Sequence, residues 1–143
     1  MAIEQDMTPL NSEMMDSLAA TTQMDWINYE PGAAMKVLWT GAESGRWAVL
    51  FKWDKGYTAG QHKHLSAAYT FILKGSLQVR DSVLNPGDFI YEPNGIIHGK
   101  TTAVEDTEFF FMCDGPVLFF DDNGFNGYLG WEELERLQES AQT

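Results

Sequence analysis

Short apolar runs rich in β-branched and aromatic residues recur through the middle of the chain, at 36–40, 47–53, 68–73, 77–80, 88–91, 108–113 and 117–120. Turn-forming residues punctuate them, at Thr40-Gly41, Ala59-Gly60, Lys74-Gly75, Asn85-Pro86-Gly87, Asn94-Gly95 and Asp114-Gly115-Pro116. Many short strands with regular turn signals predict an all-β sandwich or barrel. Phe109, Phe110, Phe111 and Met112 show no alternation, which predicts a strand buried on both faces. The two ends carry a different period. Leu10, Met14 and Leu18 recur every four residues and Pro9 suits a first turn, predicting a helix over 8–20. Trp131, Leu134, Leu137 and Gln138 share one face, and Glu132, Glu133 and Glu135 fall in the opening turns. That pattern predicts a helix over 131–140 that caps one end of the core, its acids favoured by the helix dipole.

Length and composition narrow the class. A chain of 143 residues makes one domain, 1–143, with an N-terminal arm and helix over 1–35. The apolar fraction of 44% and the charged fraction of 21% are those of a globular chain. The single cysteine, Cys113, excludes an internal disulfide and is expected to be an inert buried thiol. A net charge of −12 with no Lys/Arg cluster excludes nucleic acid and anionic membranes as partners. No apolar run approaches the roughly 20 residues that span a bilayer. The first 15 residues lack the basic start and apolar stretch of a signal peptide, so a cytoplasmic location is expected.

The candidate chemistry uses every histidine in the chain. His62 and His64 flank Lys63, and in a strand residues i and i+2 point to the same face. The third, His98, ends the pattern G-x5-P-x-G-x2-H over 87–98. From the chain's own composition that pattern arises by chance roughly once in a thousand such chains. Pro93 fixes φ and Gly95 permits positive φ, so the pair makes a tight turn from which His98 starts a returning strand. Together the three imidazoles are candidate ligands for one divalent transition metal.

These residues resemble the two motifs of the cupin superfamily. Gly56, His62, His64 and Gly75 match the first motif; Gly87, Pro93, Gly95 and His98 match the second, with Thr102 where Asn is usual. The resemblance covers 56–102 and implies a jelly-roll barrel, a double-stranded β-helix. Counted back from Gly75, the glutamate ligand of most cupins falls at Ala68, so a carboxylate ligand is missing there. A three-histidine set is similar to that of the acetylacetone-cleaving dioxygenases. It implies an Fe(II) cofactor, for which Zn or Ni can substitute in recombinant protein. It also implies a homodimer or homotetramer, and C–C cleavage of a small β-dicarbonyl or related ketone by dioxygen. Within that resemblance Arg80 and Glu92 fall on the polar side of the metal pocket, and Thr70 stands where the family has a tyrosine. The competing reading of Arg80 and Glu92 is a solvated strand residue. Two other functions suit the same ligands: a metal-dependent isomerase, decarboxylase or hydrolase, and a non-catalytic zinc-binding sensor domain.

Overall fold

The computed structural model describes residues 11–142. Fourteen strands and one helix follow in chain order. They are β1 (Ile27–Glu30), β2 (Ala33–Thr40), β3 (Trp47–Trp53), β4 (Thr58–Ala59), β5 (His62–His64), β6 (Ala68–Lys74) and β7 (Leu77–Val79), then β8 (Ser82–Leu84), β9 (Phe89–Glu92), β10 (Ile97–His98), β11 (Thr101–Ala103), β12 (Thr107–Cys113), β13 (Val117–Asp121), β14 (Gly124–Leu129) and α1 (Trp131–Ala141).

Three sheets result: a six-stranded sheet in the order β1-β2-β3-β12-β6-β9, and two four-stranded sheets, β10-β5-β13-β14 and β4-β11-β7-β8. All pairings are antiparallel. One core joins them. Val49, Phe51, Ile72, Phe109 and Phe111 come from the large sheet, Val117 from the second, and Leu77, Val79, Leu84 and Ala103 from the third. This is the jelly-roll architecture of a cupin, with the sheets wrapped around a shared interior.

The strands at 47–53, 68–74 and 107–113 fall where the apolar runs place them, but β12 is not buried on both sides. Thr107, Phe109, Phe111 and Cys113 are buried, while Glu108, Phe110 and Met112 are half-buried. An inner strand of an antiparallel sheet keeps one solvent face; here that face is apolar because Phe110 lies between Leu50 and Phe71 on the flanking strands. Phe71, Phe89 and Tyr91 continue it as exposed side chains.

The C-terminal helix forms at 131–141. Leu134 is fully buried beneath it, Leu137 packs on the core, and the Glu133 side chain accepts from the Gly130 N–H at 2.9 Å. Over residues 11–20 the expected N-terminal helix does not form. Residues 8–10 lie outside the described part, and between Asn11 and Ala20 there is only a 3-10 turn at Ser12–Met14. Met14, Met15 and Leu18 are exposed. A helix this short depends on tertiary packing for its stability, and its stripe residues are largely exposed here. The arm runs instead across the large sheet, held where Lys36 Nζ donates to the Thr21 carbonyl at 2.6 Å and stacks over the Trp26 ring. Among the described residues, no helix is long and apolar enough to cross a membrane.

The motif glycine Gly75 turns the chain from β6 into β7 at φ 80°, and a Cβ there would collide with the Asp106 carbonyl and the Thr107 hydroxyl. That hydroxyl is committed: it donates to the Ser76 carbonyl at 2.9 Å and accepts from the Ser76 N–H at 3.1 Å. Gly75→Ala therefore combines backbone strain with a clash against buried groups. It is expected to lower unfolding stability by about 2 kcal/mol or more in chemical denaturation, and a loss below about 0.5 kcal/mol contradicts this account of the turn.

Candidate metal centre

Strand β5 lies between β10 and β13, and its register sets the site. His62 pairs with His98 on one side and with Phe119 on the other; His64 pairs with Val117. Directly opposed residues of antiparallel strands project to the same face, and so do His62 and His64 at i and i+2. The three rings therefore meet on the inner face. Their centroids are 5.2 Å apart for His62–His64, 4.8 Å for His62–His98 and 5.0 Å for His64–His98. One ring nitrogen from each lies within 4.8 Å of the other two.

The turn before β10 is tied to the same strand. The Gly95 N–H donates to the His64 carbonyl at 2.8 Å, and the His64 N–H donates to the Ile96 carbonyl at 3.0 Å. Gly95 has φ 86°, the positive value the Pro-x-Gly spacing anticipates. His64 is thus tied through backbone to the turn that leads into His98, while His98 itself faces His62.

The ring chemistry fits a divalent, nitrogen-ligated ion. His62 Nδ1 lies 2.8 Å from the Gly60 carbonyl; as the donor to that oxygen it leaves Nε2 as the lone-pair nitrogen, the outer-shell bond typical of a metal-binding histidine. His64 Nδ1 is buried and has no hydrogen-bond partner among the described residues. Burial pushes all three imidazoles below their ordinary proton affinity. His64 falls to about 4, with the His62 and Arg80 charges adding to burial. His98 falls to about 3, with His62, His64 and Arg80 adding. His62 is lowered as well, against its bond to Gly60. Three neutral imidazoles at neutral pH are ready to donate lone pairs.

A carboxyl group reaches the site from strand β9. Ala68 on β6, the position the motif gives to a glutamate, pairs directly with Glu92 on β9. Ala68 has no side chain beyond Cβ, and Glu92 is 5% exposed. Glu92 Oε2 rests against His98 Nε2 and has no other partner among the described residues. Burial raises its carboxyl to about 7, with the Arg80 charge opposing. Thr70, 4% exposed on the inner face of β6, shares a chamber of about 50 Å3 with Glu92 and the three histidines.

Arg80 stands apart. It is exposed in the turn between β7 and β8 with φ 51°, and it is not in the wall of this chamber. Its charge still reaches His64, His98 and Glu92. Tyr69 points outward, as its strand position predicts, and donates to Asp114 at 2.9 Å. Cys113 is buried, its thiol pushed up by burial.

A second cavity, about 450 Å3, has His62 and His64 in its wall together with Phe51, Phe111, Phe119 and Tyr57. Its aromatic members come from β1, β3, β12, β13, β14 and the loop before β4. No local spacing joins those segments, so the sequence carries no signal that they line one space.

Replacing His62 by Ala removes the residue that pairs with both neighbouring strands and is expected to abolish stoichiometric metal; full metal retention in the variant, measured by elemental analysis, contradicts the assignment. The metal-free protein should also lose stability in acid. The folded state holds the imidazoles neutral, whereas the unfolded chain protonates them near 6.5. The unfolded state therefore binds more protons as pH falls from about 6.5 toward 4, and folding weakens over that window. Glu92 gives the opposite slope between about 4.5 and 7, one group against three. Thermal melting of metal-free protein should show a lower Tm at pH 4.5 than at pH 6.5; a flat or inverted profile counts against burial of neutral imidazoles.

Comparison with known proteins places this geometry. Residues 14–118 match the family model of the ChrR cupin-like domain. The acetylacetone-cleaving enzyme of Acinetobacter johnsonii is 29% identical over 111 residues, 73% of this chain and 72% of that protein. The crystal structure of an acetylacetone dioxygenase from Acinetobacter johnsonii superposes with a TM-score of 0.80 at 21% identity, covering 96% of this chain and 99% of the other. An RmlC-like cupin protein from Ralstonia eutropha gives a TM-score of 0.80 at 19% identity over 91% and 90%. These two structural likenesses bear on the fold, which is shared over most of each chain. With the family model spanning most of its length and the three-histidine cluster set inside the jelly roll, the chain belongs to the ChrR cupin-like family.

Proposed function

We propose that the protein is an Fe(II)-dependent dioxygenase that cleaves a C–C bond of a β-dicarbonyl or related ketone. The observation that carries the reading is the donor set. Three neutral imidazoles converge with no carboxylate among them, next to an apolar cavity. Similarity to an acetylacetone-cleaving enzyme supports it.

His62, His64 and His98 would hold the metal. Bound there, divalent iron supplies Lewis acidity toward a chelating oxygen pair and redox capacity toward dioxygen. The remaining work falls to the chain. A β-dicarbonyl loses a proton readily, and Glu92 Oε2 is the buried carboxylate oxygen beside His98 that can receive it. Thr70 offers a hydroxyl in the same chamber. Phe111 and Phe119 pack the carbon skeleton and exclude water from the reacting end. Arg80 contributes positive charge from the surface turn. Insertion of both oxygen atoms and scission of one C–C bond convert the diketone to a carboxylic acid and an α-keto-aldehyde, with no external reductant. No protein nucleophile is required.

The test is an oxygen electrode with iron-reconstituted protein and a panel of β-diketones and hydroxyacetophenones. Uptake with formation of a carboxylic acid is expected; absence of uptake above free iron across the panel overturns the reading and leaves a metal-binding cupin of other function, the zinc-bound sensor included. In the same assay Arg80→Ala and Glu92→Gln should each lower turnover more than they lower metal content. A positioned proton acceptor is worth about a hundredfold or more, so a Glu92→Gln variant with full turnover removes Glu92 from the mechanism.

A further inference from the structure

Trp53 belongs to two spaces at once. Its side chain lines the small chamber that holds His62, His64 and His98, and it also lines the larger cavity together with Tyr29, Tyr57 and Glu30. Besides the imidazoles, the other aromatic walls of the small chamber are Phe109 and Phe111. A phenyl ring gives up an electron far less readily than an indole. Trp53 is therefore the most easily oxidised side chain in the chamber of the candidate ligands.

A second oxidisable ring follows. Tyr57 lies 4.7 Å from Trp53, centroid to centroid, the spacing of rings in contact, across which an electron passes readily. The Trp53 Nε1–H donates to the Tyr29 hydroxyl at 2.8 Å and holds the indole in that position. The Tyr57 hydroxyl donates to Glu30 Oε2 at 2.6 Å. Burial keeps that hydroxyl protonated. A neutral phenol loses an electron easily only when its proton leaves with it, which requires an acceptor within hydrogen-bond reach. Glu30 Oε2 meets that requirement. Tyr57 is half-buried and Glu30 is exposed, so the pair opens toward solvent.

Other aromatic residues lack one part or the other. Trp47 packs against Phe111 at 5.3 Å and donates to the Gly115 carbonyl, and among the described residues no tyrosine ring stacks on it. Tyr69 donates to a carboxylate, Asp114, but it stands on the outer face of its strand with Tyr91 as its ring partner. Among the described residues, Trp53 alone joins the histidine chamber to a tyrosine with a proton acceptor in place.

We infer a further function for this cluster: Trp53, Tyr57 and Glu30 form a relay that carries oxidising equivalents from the metal to the surface when dioxygen or peroxide reacts there without substrate. A one-electron oxidant formed at the metal takes an electron from the Trp53 indole and leaves its radical cation. Tyr57 returns an electron to Trp53 and passes its proton to Glu30 Oε2, and a neutral tyrosyl radical remains. A soluble one-electron reductant such as ascorbate discharges that radical, and the proton comes back from Glu30. The relay rests on the redox-active iron of the dioxygenase reading and is independent of the substrate.

The test mixes the iron(II)-loaded protein with hydrogen peroxide in the absence of substrate, freeze-quenches it and records the electron paramagnetic resonance spectrum. A tyrosyl radical is expected. Tyr57→Phe should abolish it. Glu30→Gln, which keeps a hydrogen-bond acceptor but takes up no proton, should also lose most of the signal, and Tyr69→Phe should leave it unchanged. After repeated peroxide treatment, peptide mass spectrometry should find more oxidised Trp53 and more oxidised histidine in Tyr57→Phe than in the unaltered protein, with less iron retained. All proteins are matched beforehand for iron content and Tm, so a folding defect is not read as loss of the relay. Absence of the radical in the unaltered protein, its survival in Tyr57→Phe, or equal oxidation of Trp53 with and without Tyr57 overturns the relay. Oxygen uptake with the diketone panel is measured in parallel. Uptake without a tyrosyl radical overturns the relay and leaves the dioxygenase reading standing. A radical that depends on Tyr57, without uptake, supports the relay and overturns the dioxygenase reading.

Discussion

The pairing of a three-residue strand with its two neighbours is the constraint on which the centre depends. Strand β5 carries two of the histidines, faces the third across β10, and faces Phe119 across β13. Side chains alternate between faces with period two, so a slip of one residue in either pairing would turn a ligand outward. So short a strand has little pairing of its own to resist a slip. The register is fixed from outside it, by the two backbone bonds between His64 and the 95–96 turn and by the longer β13–β14 hairpin.

That constraint sets an electrostatic one. Burying three imidazoles and a carboxyl away from water favours their neutral forms, and all four shift in that direction. Left without a counterpart, such a cluster stores cost: among the described residues His64 Nδ1 has no partner and Glu92 Oε2 has only His98. Buried polar groups left unpaired are rare in stable folds and concentrate where a ligand completes them. The exchange between β6 and β9 belongs to this logic. Alanine at 68 and glutamate at 92 keep a carboxyl near the imidazoles while placing it on a neighbouring strand, where it abuts one ligand and lies outside the three-nitrogen cluster.

The same aromatic residues serve the core and the cavity. Phe51 touches Tyr29, Trp53, Phe109 and Phe111, and Trp53 meets Phe109 edge to face. Tilted and edge-on pairs of this kind are favourable beyond the area they bury. They also give the site a rigid wall, since each ring is held by several others. The polar tips of Tyr29, Tyr57 and Trp53 satisfy each other and Glu30 at the cavity's far end.

Local chemistry was legible in the chain. The i, i+2 histidines, the Pro93–Gly95 turn, the punctuated strands and the capping helix at 131–141 all depend on neighbours within a few residues, and their spacing states them directly. Long-range pairing was not legible. That Glu92 sits opposite Ala68, that Arg80 leaves the interior at a left-handed turn, and that Tyr29 of the N-terminal arm reaches the cavity follow from contacts between distant segments. The N-terminal helix missing over residues 11–20 is the converse case: its period was present in the sequence, but Met14 and Leu18 stay largely exposed, and a short helix depends on packing for its stability. Sequence by itself determined which residues can bind a metal and what backbone carries them, because alternation and turn geometry are local. Tertiary structure alone decided which strands stand side by side, and so what surrounds the metal, because register is a property of two segments and neither contains it.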